Sequence, residues 1–319
     1  VIKNPGGKAL LPSRRSLYRN NTWALELDIN ADNLVLAQIM NHTIPDTDWA
    51  NLTLGERIKH LEVEGYVVMP DILSPELVKQ LKVETAKLQT RQVDYSEKQR
   101  VLDKKGLEYK GGVFTDLIVH PPTTDFLKAL CGDEIIMMQY TYSRSEPGHP
   151  GINFHCDAMN YGSSEFSDAL SCPKMVRVLY YLDDLTPEVS PFRIIPRTHL
   201  SFHNQANPYL RYKDHPEQVM ITCKAGTAII FNMYCFHGNF PNVGERPREV
   251  LIISYRPSWA GPINEVKSRD PEKVATLPPD VQTYMGDLNT RIWKPEAGNI
   301  QPDMPSEAEG INPSRWDRV

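Results

Sequence analysis

The pattern of the chain predicts an α+β fold in which helices lead and a β-sandwich or barrel follows. Three observations predict it. Capped helix starts fall at Thr53 and Ser74, a series of short apolar strands runs from Ile135 to Arg256, and turn-forming residues separate those strands. Apolar residues make up 40% of the 319, and charged residues 24%, enough apolar side chain for a packed core.

Residues 1–50 hold Asn4-Pro5-Gly6-Gly7 and Asn20-Asn21 and no sustained period, so a surface arm (1–55) is expected. Thr53-Leu-Gly-Glu56 has the spacing of a capping box, in which each side chain bonds the other's amide. The helix it opens is expected to stop at Gly65 and to lead into a strand at Tyr66–Pro70. Ser74 before Pro75 is a second start, because proline's missing N–H costs nothing in a first turn. Leu77, Leu81 and Leu88 give that helix its apolar stripe. The stretch from Gln89 to Lys110 is polar and carries no assignment. A third helix is expected from Thr123 or Thr124 to about Gly132. Strands are expected at Ile135–Tyr142, Met175–Leu182, Phe192–Ile195, Gln218–Cys223, Thr227–Asn232 and Glu249–Arg256. Residues 258–319, rich in proline and acids, read as an irregular extension packed on the barrel. This leaves residues 56–257 as the single main domain.

The formal charge is −5, which argues against nucleic acid as a partner. No apolar run reaches the roughly 18 residues of a membrane span, and Lys3, Lys8, Arg14 and Arg15 are not followed by the apolar block of a secretory signal. Cys131, Cys156, Cys172, Cys223 and Cys235 form no CxxC pair, so free thiols and a cytoplasmic setting are expected. The sequons at Asn41 and Asn51 then read as chance. The arm and the extension leave a homo-oligomer open.

Chemistry concentrates in Phe154-His155-Cys156-Asp157. In an extended segment His155 and Asp157 point to one side and Cys156 to the other. An imidazole and a carboxylate so placed make two corners of a metal site. His237, ahead of Gly238 at the end of an apolar strand, supplies a candidate third. Two histidines and one carboxylate on one face of an octahedron leave three positions free, which suits Fe(II) with a cosubstrate and O₂. The spacing alone is common, and the other histidines (His42, His60, His120, His149, His199, His203, His215) read as structural or surface residues. Arg248 lies eleven residues after His237, past the turn Pro241–Pro247. A hairpin would return its guanidinium to the same pocket, where it could grip a dicarboxylate. A surface arginine beside Arg246 is the other reading of the pattern.

The ordered set HxD, His-Gly and Arg eleven residues on resembles the phytanoyl-CoA dioxygenase family of Fe(II)/2-oxoglutarate oxygenases. Glu64-Gly-Tyr-Val-Val-Met-Pro-Asp-Ile-Leu-Ser-Pro-Glu76 is similar to that family's opening strand and helix. Tyr181-Leu-Asp-Asp184 with Ser190-Pro-Phe-Arg-Ile-Ile-Pro-Arg-Thr-His199 resembles its "YLDD … G-P-hydrophobic … PGSH" stretch. Ala225–Phe231 and His237–Asn242 match the strand and turn around the second histidine. The likeness spans about residues 57–257.

The resemblance implies a double-stranded β-helix, a cupin-like jelly-roll barrel, with flanking N-terminal helices. It implies His155, Asp157 and His237 as iron ligands and Arg248 as partner of the 2-oxoglutarate distal carboxylate, with Asn239 and Gln139 as further cosubstrate contacts. It also implies oxidation of an unactivated C–H of a small molecule, with O₂ consumed and succinate and CO₂ released. Asp157 speaks for hydroxylation over halogenation, since related halogenases have a small residue there. Cys156 departs from the polar residue usual between the ligands, and Pro196-Arg197-Thr198-His199 departs from Pro-Gly-Ser-His. Arg144, Lys174, Arg177 and Arg193 could border an anionic substrate, and Tyr140, Tyr142, Tyr161 and Trp259 could line a cavity. Two other readings stand beside the oxygenase: a catalytically silent barrel of the same fold that binds a small molecule or partner, and a zinc hydrolase using the same three ligands.

Overall fold

A computed structural model describes residues 43–157, 175–200, 214–262 and 265–291. Residues 1–42, Tyr161, Cys172, Lys174 and His203 lie outside the described residues, as do the sequon at Asn41 and the end of the C-terminal extension.

The first helix, α1 (Leu54–Glu64), carries the expected capping box: Thr53 Oγ1 accepts from the Glu56 amide at 3.2 Å, and Glu56 Oε2 accepts from the Thr53 amide at 2.8 Å. Gly65 ends it with φ +91°, and a Cβ there would lie 2.1 Å from Cys235 Sγ, so both conformation and space demand glycine. Strand β1 (Tyr66–Met69) follows, then α2 (Pro75–Thr85), whose Ser74 Oγ accepts from the Leu77 amide. Leu81 is buried in the stripe; Leu77 packs at its edge, and Leu88 packs there from beyond the helix end.

The unassigned polar stretch is a hairpin, β2 (Thr90–Val93) and β3 (Ser96–Leu102), at the sheet edge. An edge hairpin can be polar on both faces, so its sequence carries no apolar alternation. A short helix, α3 (Gly112–Asp116), precedes α4 (Pro121–Cys131). The start of α4 lies two residues before the expected threonines, because Pro121 takes the first helical position and the Thr123 and Thr124 amides already bond the His120 carbonyl.

The strands expected from 135 onward are all present: β4 (Ile135–Ser145), β6 (Val176–Tyr181), β7 (Phe192–Ile194), β8 (Val219–Ile221), β9 (Ala228–Asn232) and β11 (Arg248–Pro257). Two shorter ones, β5 (Ile152–His155) and β10 (His237–Asn239), carry the HxD and His-Gly motifs. Seven strands form one sheet in the order β1-β9-β6-β11-β4-β3-β2, and four form a second in the order β5-β10-β7-β8. The pairings between these strands are antiparallel. The result is a jelly-roll sandwich whose described strands do not close into a barrel.

Apolar runs such as Ala228–Phe231 are continuous because the large sheet is buried on both faces. Ala228 and Ile230 pack under the helices, while Ile229 and Phe231 pack against Phe192, Ile194 and Ile221 of the small sheet. Each such fully buried side chain contributes about 1.5–3 kcal/mol.

The C-terminal extension differs from its irregular reading. It carries α5 (Pro271–Ala275) and α6 (Pro279–Thr283), and Leu277, Val281, Tyr284 and Met285 belong to the main core. The buried Arg256 guanidinium ties it down by donating to the carbonyls of Ser258 and Leu288 at 3.1 and 2.9 Å. Helices this short lack the periodic pattern that a sequence reading needs. No helix of the described residues is long and apolar enough to cross a membrane.

Candidate metal centre

Strands β5 and β10 bring the two histidines together. His155 and His237 are direct cross-strand partners, with ring centroids 4.3 Å apart. Gly238 makes the contact possible: a Cβ there would lie 2.3 Å from the Ile152 carbonyl oxygen, so only glycine lets β10 fit between β5 and β7. Asp157 follows the end of β5, anchored by its amide donating to the Met233 carbonyl at 3.1 Å. Its Oδ2 lies 3.2 Å from His237 Nε2, and its Oδ1 lies 3.6 Å from His155 Nε2. One ligand atom from each of the three side chains falls within 4.8 Å of the others. Cys156 points away, its Sγ donating to the Met233 carbonyl.

Both imidazoles are hooked to backbone two residues back. His155 Nδ1 donates to the Asn153 carbonyl at 2.9 Å, and His237 Nδ1 donates to the Cys235 carbonyl at 3.0 Å. A carbonyl can only accept, so each ring carries its proton on Nδ1 and turns the Nε2 lone pair toward Asp157. The protein crowding the inner edge of His155, with His237 beside it, lowers its pKa to about 4, so the ring is neutral at pH 7. Burial opposes ionisation of Asp157. His237, Arg177 and His155 outweigh it and hold the carboxyl well below the usual carboxylate range. Two imidazole Nε2 atoms and one carboxylate turned toward one point are the donor set a divalent ion requires.

Arg248 heads β11, buried and facing between the sheets. Its Nη2 donates to Ser145 Oγ at 2.8 Å and approaches Ser190 Oγ at 3.4 Å, and its guanidinium lies 5.8 Å from the Tyr181 ring centre. Both hydroxyls send their own protons elsewhere, to Gln99 Oε1 and the Phe240 carbonyl, so both accept from the arginine. Arg248 Nε and His149 Nε2 are buried with no hydrogen-bond partner among the described residues. An anion seated here would supply one. Asn239 lies between the two ends, on the His237 side of β10, with its Nδ2 donating to the Ser190 carbonyl at 3.3 Å. Gln139 is exposed and pairs with Ser254 across β4 and β11.

The family model of phytanoyl-CoA dioxygenase (PhyH) matches residues 61–250, more than half of the chain. The chain belongs to the phytanoyl-CoA dioxygenase family. It is a non-haem Fe(II)/2-oxoglutarate-dependent dioxygenase. Among curated relatives, ectoine dioxygenase of Nocardia farcinica is 21% identical over 232 residues, 63% of this chain and 77% of its own. Dioxygenase af480 of Aspergillus fumigatus is 21% identical over 250 residues, 73% of this chain and 77% of its own. Among solved structures, HygX from Streptomyces hygroscopicus, with nickel, 2-oxoglutarate and hygromycin B bound, superposes with a TM-score of 0.54 at 16% identity, covering 63% of this chain and 86% of its own. The epimerase SnoN from nogalamycin biosynthesis gives 0.54 at 16% identity, covering 64% and 80%.

The residues present fit iron and 2-oxoglutarate: two imidazoles and a carboxylate converge, and Arg248 Nε is buried with no hydrogen-bond partner among the described residues. Sequence reasoning missed Ser145, Ser190, Gln99 and His149. The first was legible, because Thr141, Ser143 and Ser145 alternate along β4 as an inward polar row. Ser190 stands where the family stretch has glycine, and it takes the left-handed φ of +48° that glycine would. Arg197 likewise takes the glycine position with φ +65°, compensated by its Nη1 pairing with Glu64 at 2.7 Å.

Of the residues considered as substrate contacts, Tyr140 and Tyr142 belong to the helix-side core instead. Alternation along β4 sends them to the opposite face from Ser143 and Ser145. Arg193 lies on the outer face of the small sheet, stacked 4.3 Å over Phe154, and Arg144 pairs with Glu146. Trp259 is half-buried. Arg177 reaches the site, but onto Asp157 Oδ2, at 2.6 Å.

Proposed function

We propose that His155, Asp157 and His237 hold the iron, that Arg248 holds the far carboxylate of 2-oxoglutarate, and that the enzyme hydroxylates an unactivated C–H bond of a small molecule. The cross-strand pair His155/His237 with the Asp157 carboxylate 3.2 and 3.6 Å from their Nε2 atoms carries this reading. Bound iron with 2-oxoglutarate supplies the oxidising power for O₂-dependent C–H oxidation, with succinate and CO₂ released. The chain supplies everything else. The backbone hooks on Nδ1 fix which imidazole atoms face the metal. Arg248, aligned by Ser145 and Ser190, sets the depth and direction of the cosubstrate, with Asn239 and Gln139 alongside it.

A carboxylate at 157 fills the position that halide would need, which supports hydroxylation over halogenation. The hygromycin B bound to HygX supports a small-molecule substrate. Among the described residues Cys223 and Cys235 form no disulfide, in keeping with a cytoplasmic setting. Residues 56–257 are the oxygenase domain in this reading, with the arm 1–55 and the extension 258–319 shaping a lid or a homo-oligomer contact.

The test is an anaerobic titration with Fe(II) and 2-oxoglutarate. A weak visible charge-transfer band is expected for the wild type and none for His155→Ala, and succinate release with a metabolite panel then finds the substrate. A His155→Ala protein that keeps the full band and turnover refutes the ligand assignment.

A further inference from the structure

Arg177, Ser254 and Gln139 form one rung across three adjacent strands of the large sheet: Ser254 of β11 pairs with Gln139 of β4 on one side and with Arg177 of β6 on the other. The rung faces the small sheet, because Tyr181 and Leu179, at even spacing from Arg177 on β6, pack into the core between the sheets. The neighbouring rung at Leu179 and Ile252 is largely apolar, so Arg177 stands at the border of a hydrophobic interior that ends at the exposed Gln139. Isolated charge there is costly and calls for a partner. The partner is Asp157: Arg177 Nη1 lies 2.6 Å from Oδ2, with only 17% of the arginine side chain and 16% of the aspartate exposed. Among the described residues this carboxylate therefore sits between two imidazole Nε2 atoms and a guanidinium.

We propose that Arg177 is a positioning residue that acts through Asp157, its positive charge beside Oδ2 holding the carboxylate's orientation so that the aspartate gives the metal a single bond. The inference rests on the iron reading above and deepens it. A carboxylate free of the guanidinium could rotate and chelate the ion through both oxygens, consuming one of the three positions that cosubstrate and O₂ require. The guanidinium also withdraws charge from the carboxylate, making Asp157 a weaker donor to the metal. Arginine suits the task because it stays charged while largely buried and presents its donors in a fixed plane. This use of Arg177 differs from contact with an anionic substrate, for which it would have to release Asp157.

The experiment compares wild type with Arg177→Met, Arg177→Gln and Arg177→Lys by anaerobic Fe(II) titration at saturating 2-oxoglutarate, with circular dichroism as the folding control. Methionine matches arginine in length and removes charge and donors together. Arg177→Met is expected to bind Fe(II) about 10-fold more tightly, because the freed carboxylate is the stronger donor, can use both oxygens and no longer has a cation beside it. Its charge-transfer band is expected at longer wavelength, because a stronger aspartate donor raises the iron d electrons. Arg177→Gln, which keeps a hydrogen-bond donor and a polar environment, shows the same band shift and stands in should the methionine variant not fold. Arg177→Lys restores the band position by restoring the charge. Wild-type affinity with an unshifted band in a folded Met or Gln variant overturns the proposal. A wild type that itself shows no band overturns the iron reading and this inference with it.

Discussion

His155 and Asp157 belong to a four-residue strand and the residues just past it, with 40% and 16% of their side chains exposed, whereas Arg248 heads a ten-residue strand with 2% of its surface exposed. The metal end is fixed by local hooks, each imidazole bonded to a carbonyl two residues away. The arginine end is fixed by the framework, through Ser145 of β4, Gln99 of β3 and Ser190 of the loop before β7. Truncating the half-exposed His155 should therefore remove chemistry and spare the fold, and damage at the arginine end should harm both.

The largest effect is expected for His155→Ala, whose side chain is 40% exposed. Succinate formation falls to background and Fe(II) binding is lost, while thermal unfolding stays close to wild type; a large drop in melting temperature would break the contrast. Gly238→Ala comes next, because the new Cβ meets the Ile152 carbonyl at 2.3 Å. A loss of about 1–3 kcal/mol in urea unfolding is expected, with iron binding lost alongside as β5 and β10 separate.

Arg248→Leu sharpens the comparison from the other end. The KM for 2-oxoglutarate should rise about 10–150-fold, matching the 1.5–3 kcal/mol of hydrogen bonds to a charged group, and stability should fall by about 1–3 kcal/mol as the serine hydroxyls lose their donor. Fe(II) affinity without cosubstrate should not change.

A pH effect of intermediate size follows from three crowded histidines. His149, His155 and His199 have folded-state pKa values of about 4, lowered mainly by burial from 6.5. Between pH 6.5 and 4 the unfolded chain takes up protons that the folded chain refuses. Stability is thus full above about 6.5 and is lost as the pH falls, by up to ~1.4 kcal/mol per pH unit for each histidine. His155, the most open, contributes least. His199 contributes most clearly, because its Nε2 donates to the Glu62 carbonyl and its Nδ1 accepts from Cys235 Sγ at 3.2 Å, leaving no place for a second proton. Urea midpoints for His199→Gln at pH 7 and 5 should differ less than those of wild type. The smallest effect is expected for Arg197→Gly, which relieves a left-handed φ costing about 1 kcal/mol and gives up a half-exposed ion pair worth about 0–1. Calorimetry should find it equal to or slightly more stable than wild type.

Legibility in the sequence followed the same division. The convergence of His155, Asp157 and His237 was readable because its determinants are local: a two-residue spacing, a histidine before a glycine, a capped helix and a run of turns. The strands were readable because double-sided burial leaves continuous apolar runs such as Ile229–Phe231. The hairpin β2–β3 was not, since an edge strand with polar faces lacks any period. Gln99 and Ser190 were not either: their part in holding Arg248 depends on which strands become neighbours, and that is set by the whole sandwich. Arg177 was visible only as a charge near the pocket, and its pairing with Asp157 appears once β6 lies opposite the small sheet.

A crystal of the protein soaked anaerobically with Fe(II) and 2-oxoglutarate tests the central claim most directly. The account predicts an iron anomalous peak about 2.0–2.2 Å from His155 Nε2, His237 Nε2 and one oxygen of Asp157, with the far carboxylate of 2-oxoglutarate on Arg248. A metal held by other side chains, or a cosubstrate lying away from Arg248, would contradict it.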